Sequence, residues 1–231
     1  MKKVLLSLTM LAIISTPVLA KSPVANLKIN GDIKPPTCTI NGATQNDVIF
    51  DYGAISPTLI PQSTVYSYSD IGVQNTVMIE CDAKTYLTFT ASDTYADTEL
   101  SVNNTSGWFH LVDKANPETA VGAAFFAWDN VTVDSKPAYI SRANDVAITG
   151  NKFNNVLYKG PTNGWTSEQQ SDINKNSLSL ISGEIFQASF RQGLTISTFI
   201  LSRDELSKKG IDLSNGLDFM GEAVLTFNFG V

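Results

Sequence analysis

Apolar and polar residues alternate with a period of two over much of the chain. That spacing puts one set of side chains on a core face and the other toward solvent. Leu27, Ile29 and Ile33 alternate with polar residues before Pro35-Pro36, and the pattern resumes at Thr37-Cys38-Thr39-Ile40. Val77, Ile79 and Cys81 alternate in the next segment, and Leu87, Phe89 and Ala91 in the one after it. Further short apolar runs occupy 108–112, 121–128, 138–141, 184–190, 194–201 and 223–231. Asn41-Gly42, Asn163-Gly164 and Asn215-Gly216 supply turn signals between many of them. About ten short strands with little helix between them predict an antiparallel β-sandwich and argue against a βαβ fold.

One short helix interrupts this pattern. Ser202-Arg203-Asp204-Glu205 fits a capping box, Lys208-Lys209 suits the last turn, and Gly210 is a stop. The polar stretch 158–176 reads as a long loop. At the other end, Lys2 and Lys3 precede a short apolar run, 4–14, and a small-residue cleavage site at Val18-Leu19-Ala20. The run is about eleven residues long, too short for a bilayer that needs about 20. Residues 1–20 are therefore expected to be a signal peptide, and 21–231 one exported β-sandwich domain with insertions and no transmembrane segment.

Composition narrows the classes of function. The net charge is −6, and −8 once Lys2 and Lys3 are removed. An acidic surface of this kind argues against nucleic acid as a partner. Two cysteines in an exported chain most simply pair, Cys38 with Cys81, two independent thiols being the alternative. One histidine and two cysteines leave little for a transition-metal site. No Gly-x-Ser-x-Gly elbow, His-Glu-x-x-His motif or phosphate loop occurs. No catalytic residue, cofactor or metal is therefore assigned, and His110 reads as a surface or satisfied structural residue. Asp172-Ile173-Asn174-Lys175-Asn176 begins like a calcium loop but has Ser177 and Gly183 where Gly and Glu are required. Trp108, Trp128, Asp129, Asn130 and Tyr139 make the one candidate glycan contact, set against the reading that both tryptophans fill the core.

The segment Leu27-Lys28-Ile29-Asn30-Gly31-Asp32-Ile33, followed by Cys38, resembles the first strand of chaperone–usher fimbrial subunits. The spacing to Cys81, the Asp51-Tyr52-Gly53 step, the stretch Phe186-Gln187-Ala188-Ser189-Phe190 and the alternating last strand resemble the same family. The layout looks most like a poorly characterised group of longer fimbrial-like exported proteins. The resemblance implies an immunoglobulin-like, pilin-type sandwich lacking its last strand. It also implies a groove bordered by Ala223, Leu225, Phe227, Phe229 and Val231, the alternative being a complete domain's ordinary last strand. A periplasmic chaperone would fill that groove, and at an outer-membrane usher the extension of a neighbouring fimbrial subunit would replace it. Val24, Ala25 and Leu27 would start this chain's own donor extension. The implied location is the periplasm and then the fimbrium or cell surface, with a host glycan or protein as a further partner. Gly230 stands where the family has an aromatic residue, the extension before Leu27 is short, and residues 191–222 lengthen the final connection. These departures favour a specialised subunit over an ordinary rod pilin. The alternative function is a free-standing secreted carbohydrate-binding module.

Overall fold

The computed structural model describes residues 25–68, 74–102, 105–192 and 198–230. The expected signal peptide 1–20, Val24 and Val231 lie outside the described residues. The chain divides into two units, 1–34 and 35–231. In the first, residues 25–34 have no regular secondary structure.

The second unit is all-β and sandwich-like. Its strands are β1 (Cys38–Ile40), β2 (Tyr66–Ser67), β3 (Gln74–Asp93), β4 (Trp108–Asp113), β5 (Ala120–Val133), β6 (Lys136–Pro137) and β7 (Tyr139–Ala143). They continue as β8 (Asn163–Thr166), β9 (Ser171–Ile173), β10 (Ser182–Gln192), β11 (Phe199–Ile200), β12 (Phe219–Met220) and β13 (Ala223–Phe229). Among the described residues one helix, α1 (Arg203–Lys208), and three short 3-10 turns complete it. All 13 strands join in one open sheet whose longest path is β12-β4-β5-β10-β3-β8-β7-β9. Every pairing is antiparallel except β7 with β9.

Two long strands let this sheet fold over a core. The first half of β3 pairs with β1 and β10, the second with β13 and β8. The early part of β5 pairs with β4 and β11, the later part with β10 and β6. Each long strand thus changes partners midway, and register shifts mark the change, as between Gly183 and Ile185 on β10. Residues from both halves meet in the main core. Trp165 of β8 packs against Phe186 of β10, centroids 5.5 Å apart, and against Phe89 of β3 at 5.4 Å. Each large apolar side chain buried here stabilises by about 1.5–3 kcal/mol relative to exposure. A second cluster gathers Leu111, Val121, Phe199, Ile200 and Leu206, the last contributed by α1.

The disulfide joins Cys38 to Cys81, facing residues on β1 and β3 with Cα atoms 4.0 Å apart. Flanking bonds run from the Asn41 N–H to the Met78 carbonyl and from the Asp82 N–H to the Thr37 carbonyl. The cysteines therefore occupy a pair that exchanges no backbone hydrogen bonds, where facing side chains come closest.

The predicted helix forms, with the Ser202 hydroxyl accepting from the Glu205 N–H and Gly210 at φ 83°. Several expectations need correction. Leu27 to Ile33 form no strand, and pairing begins only at Cys38, because Pro35 and Pro36 offer no N–H to a ladder. The segments around Val77 and Leu87 are one continuous strand. Asn163-Gly164 lies buried within β8 and is not a turn; a Cβ on Gly164 would approach the Thr88 side chain at 3.1 Å, so glycine is there for close packing. The supposed loop 158–176 contains β8 and β9, and polar bonds tie it to β7, as from Ser141 to Thr166 and to the Glu168 carbonyl. Of the run 194–201, only 198–201 lies among the described residues.

Candidate functional site

The chain's last described strand is its most unusual element. Ala223, Leu225 and Phe227 alternate with Val224, Thr226 and Asn228, so one face turns to the core. Along one side β13 pairs with β3 over seven residues, from Ala223 opposite Asp93 to Phe229 opposite Leu87. Among the described residues no strand pairs with its other side. The inward residues are not fully covered: Ala223, Leu225 and Phe227 pack on the main core but are only partly buried. Phe229 falls on the same face by alternation, opposite Leu87, and is 50% exposed. Gly230, at φ 77°, ends the strand by donating to the Tyr86 carbonyl at 2.8 Å, and the Thr88 hydroxyl caps the Gly230 carbonyl. The result is an edge of unpaired backbone groups beside a partly open apolar row, the arrangement that accepts another strand.

Residues 25–34 carry a complementary pattern. Leu27, Ile29 and Ile33 are 98%, 99% and 103% exposed, and Lys28, Asn30 and Asp32 lie between them. Ala25 and Leu27 of the expected donor extension thus lie in exposed chain without regular secondary structure, and the apolar row reaches Ile33. By alternation alone Ile29 and Ile33 belong to the domain's own first strand. The Pro35-Pro36 pair was the signal that the strand starts after them.

The aromatic candidates do not form one face. Trp128 is 3% exposed and belongs to the main core, stacking edge-on to Phe190. Trp108 faces Phe125 in register and packs edge-on to Phe199 at 4.9 Å, in another cluster. Asp129 is engaged by Arg191 at 3.0 Å and Gln74 at 2.7 Å. Asn130 is exposed at φ 49°, a turn-like conformation Asn tolerates, and Tyr139 is half-exposed on β7. The core reading of the tryptophans replaces the glycan reading at Trp128.

Asp172, at the false calcium loop, is held below the usual carboxylate range first by the Lys152 ammonium and also by Arg142. Among the described residues no group of three or more His, Cys, Asp or Glu is placed to hold a metal ion. Nor is any helix long and apolar enough to cross a membrane.

A model of a family described as protein of unknown function (DUF1120) matches residues 27–125. The chain is similar to that family over this span. The span runs from the exposed segment through both cysteines into β5. No curated protein and no solved structure matches the chain.

Proposed function

We propose that the chain is a non-catalytic structural or adhesive subunit of the chaperone–usher fimbrial type, exported to the periplasm and completed there by an added strand. The observation that carries this reading is the one-sided pairing of β13 with its half-covered row Ala223, Leu225 and Phe227. A strand laid along that edge satisfies the unpaired backbone groups and covers the row. The exposed alternation of Leu27, Ile29 and Ile33 is what such a donor needs, since alternate side chains fix register. In this reading a periplasmic chaperone protects the edge first. A neighbouring subunit then occupies it at the usher, and residues 25–34 serve the next subunit in turn. The cell surface is the final location.

Co-expression of the mature chain with a periplasmic fimbrial chaperone tests this. The expected result is a co-purifying pair that a synthetic peptide of residues 25–34 dissociates, and that Leu225→Asp prevents from forming. A chain that folds alone as a stable monomer, ignores both chaperone and peptide, and is unaffected by Leu225→Asp is not such a subunit. A free-standing carbohydrate-binding module is not advanced, because Trp108 and Trp128 belong to different clusters.

A further inference from the structure

His110 lies where the chain crosses onto β13. β12 pairs with β4 at Met220 opposite Val112, and the chain then passes beside the His110 carbonyl at Gly221. The fit is close: a Cβ on Gly221 would stand 2.7 Å from that oxygen. Two residues later the chain reaches β3, at Ala223 opposite Asp93. There the Thr94 N–H donates to the Glu222 carbonyl at 3.2 Å, and the Thr94 hydroxyl to the Glu222 carboxylate at 2.5 Å.

The imidazole itself is fully buried under the turn that follows β3. Its Nδ1 lies 3.0 Å from the Tyr95 carbonyl and 2.9 Å from the Thr98 hydroxyl. A carbonyl can only accept, so Nδ1 carries the hydrogen and Nε2 is the basic nitrogen. The His110 N–H donates to the Asp93 carboxylate at 2.9 Å, which also accepts from the Tyr95 N–H. Among the described residues, Asp93 and Lys159 act on the charge of the ring, and the Lys159 ammonium lies 3.5 Å from that carboxylate. β5 places uncharged Ala123 opposite His110, and Gly221 lies against the His110 backbone carbonyl.

We propose that His110 is an acid-sensitive latch holding the start of β13, so that its protonation releases residues 221–224 and the turn 94–99 ahead of the rest of the fold. A charge on the ring must be accommodated in a buried site shared with Lys159, and local opening lets water solvate it. Burial pushes the imidazole below its ordinary pKa against the pull of Asp93, and Lys159 adds to the depression. A base whose pKa is lower in the closed form takes up a proton on opening. Opening therefore becomes easier as pH falls from about 6.5 toward the closed-form value, by about tenfold per pH unit. The latch concerns β13 itself and does not rest on the fimbrial reading.

His110 is the only histidine, so its ring resonances titrate without overlap in the full oxidised chain. NMR titration is expected to place its midpoint below 6.5. Hydrogen exchange, corrected for intrinsic rates, is expected to show opening at 221–224 and 94–99 rising about tenfold per pH unit over that window. Amides of β7 stay flat. His110→Asn, which keeps a donor near the Nδ1 position, removes the pH dependence. A midpoint at or above 6.5, flat opening at 221–224, or an equal rise in every strand overturns the latch. The titration and exchange of the unaltered chain decide it even if the variant fails to fold.

Discussion

Phe227 of β13 stands directly opposite Phe89 of β3, ring centroids 5.8 Å apart, yet Phe89 is fully buried and Phe227 only partly buried. Two facing residues of one chemical type thus differ in how far they are covered. Phe89→Ala is expected to lower stability by about 3–5 kcal/mol. Phe227→Ala should lower it by about half as much, since only part of its area is removed from water. Urea denaturation of the two variants measures the difference. Equal losses would mean that β13 already lies under a complete core.

The disulfide is expected to matter more to folding than to any surface property. Cys38 and Cys81 are 43 positions apart, and a closure of that length stabilises by about 4 kcal/mol in the chain-entropy model. Cys38→Ser should lower the denaturation midpoint to the value seen for the unaltered protein with reductant present. Midpoints that ignore both changes would show that the strand pair holds without its staple.

Trp128→Ala separates a core role from a binding role. At 3% exposure and against Phe190, the ring's loss is expected to destabilise by about 3–5 kcal/mol. Asp129→Ala, which removes an exposed ion pair with Arg191, should change stability by under about 1 kcal/mol. Calorimetry on both variants checks this. A Trp128→Ala protein with unchanged melting but lost glycan binding would restore the binding reading.

Period-two alternation revealed most of the strands, because each has one face on the core, and Ser202 with Gly210 revealed α1. Alternation says which face is apolar but not whether a partner covers it. That is why Leu27, Ile29 and Ile33 looked like an ordinary first strand. It also fails where burial is two-sided: Asn163, Gly164 and Thr166 of β8 are all buried, so a strand of polar and small residues read as loop. The break expected between Cys81 and Leu87 does not occur, for a related reason. A strand that changes partners midway needs no turn, and Asp82, Ala83 and Lys84 are simply its exposed crossing. The edge at β13 was legible as residues but not as an edge, since unpaired backbone leaves no mark in a sequence. His110 was read as surface or satisfied, and only the fold brought Asp93, Lys159 and Gly221 around it.

Gly122 gives the sharpest test of how the second cluster is assembled. It pairs with Leu111 of β4 and with Ile200 of β11, so β5 is flanked on both sides at that position. A Cβ added there would lie 2.1 Å from the Phe199 carbonyl oxygen, a backbone atom that cannot turn aside. Gly122→Ala must therefore push β11 away from β5, and Phe199, Ile200 and the packing of Leu206 move with it. Overpacking of this kind destabilises by about 1–3 kcal/mol. Gly42→Ala makes the contrast, since at φ 82° it meets no neighbour and carries only the left-handed backbone penalty of about 1–2 kcal/mol. Thermal melts alone need not separate the two variants. Hydrogen exchange does: Gly122→Ala should expose the amides of β11 and α1, and Gly42→Ala those of β1. A Gly122→Ala protein that keeps full protection at Leu201 would show that β11 does not lie against β5 at this point.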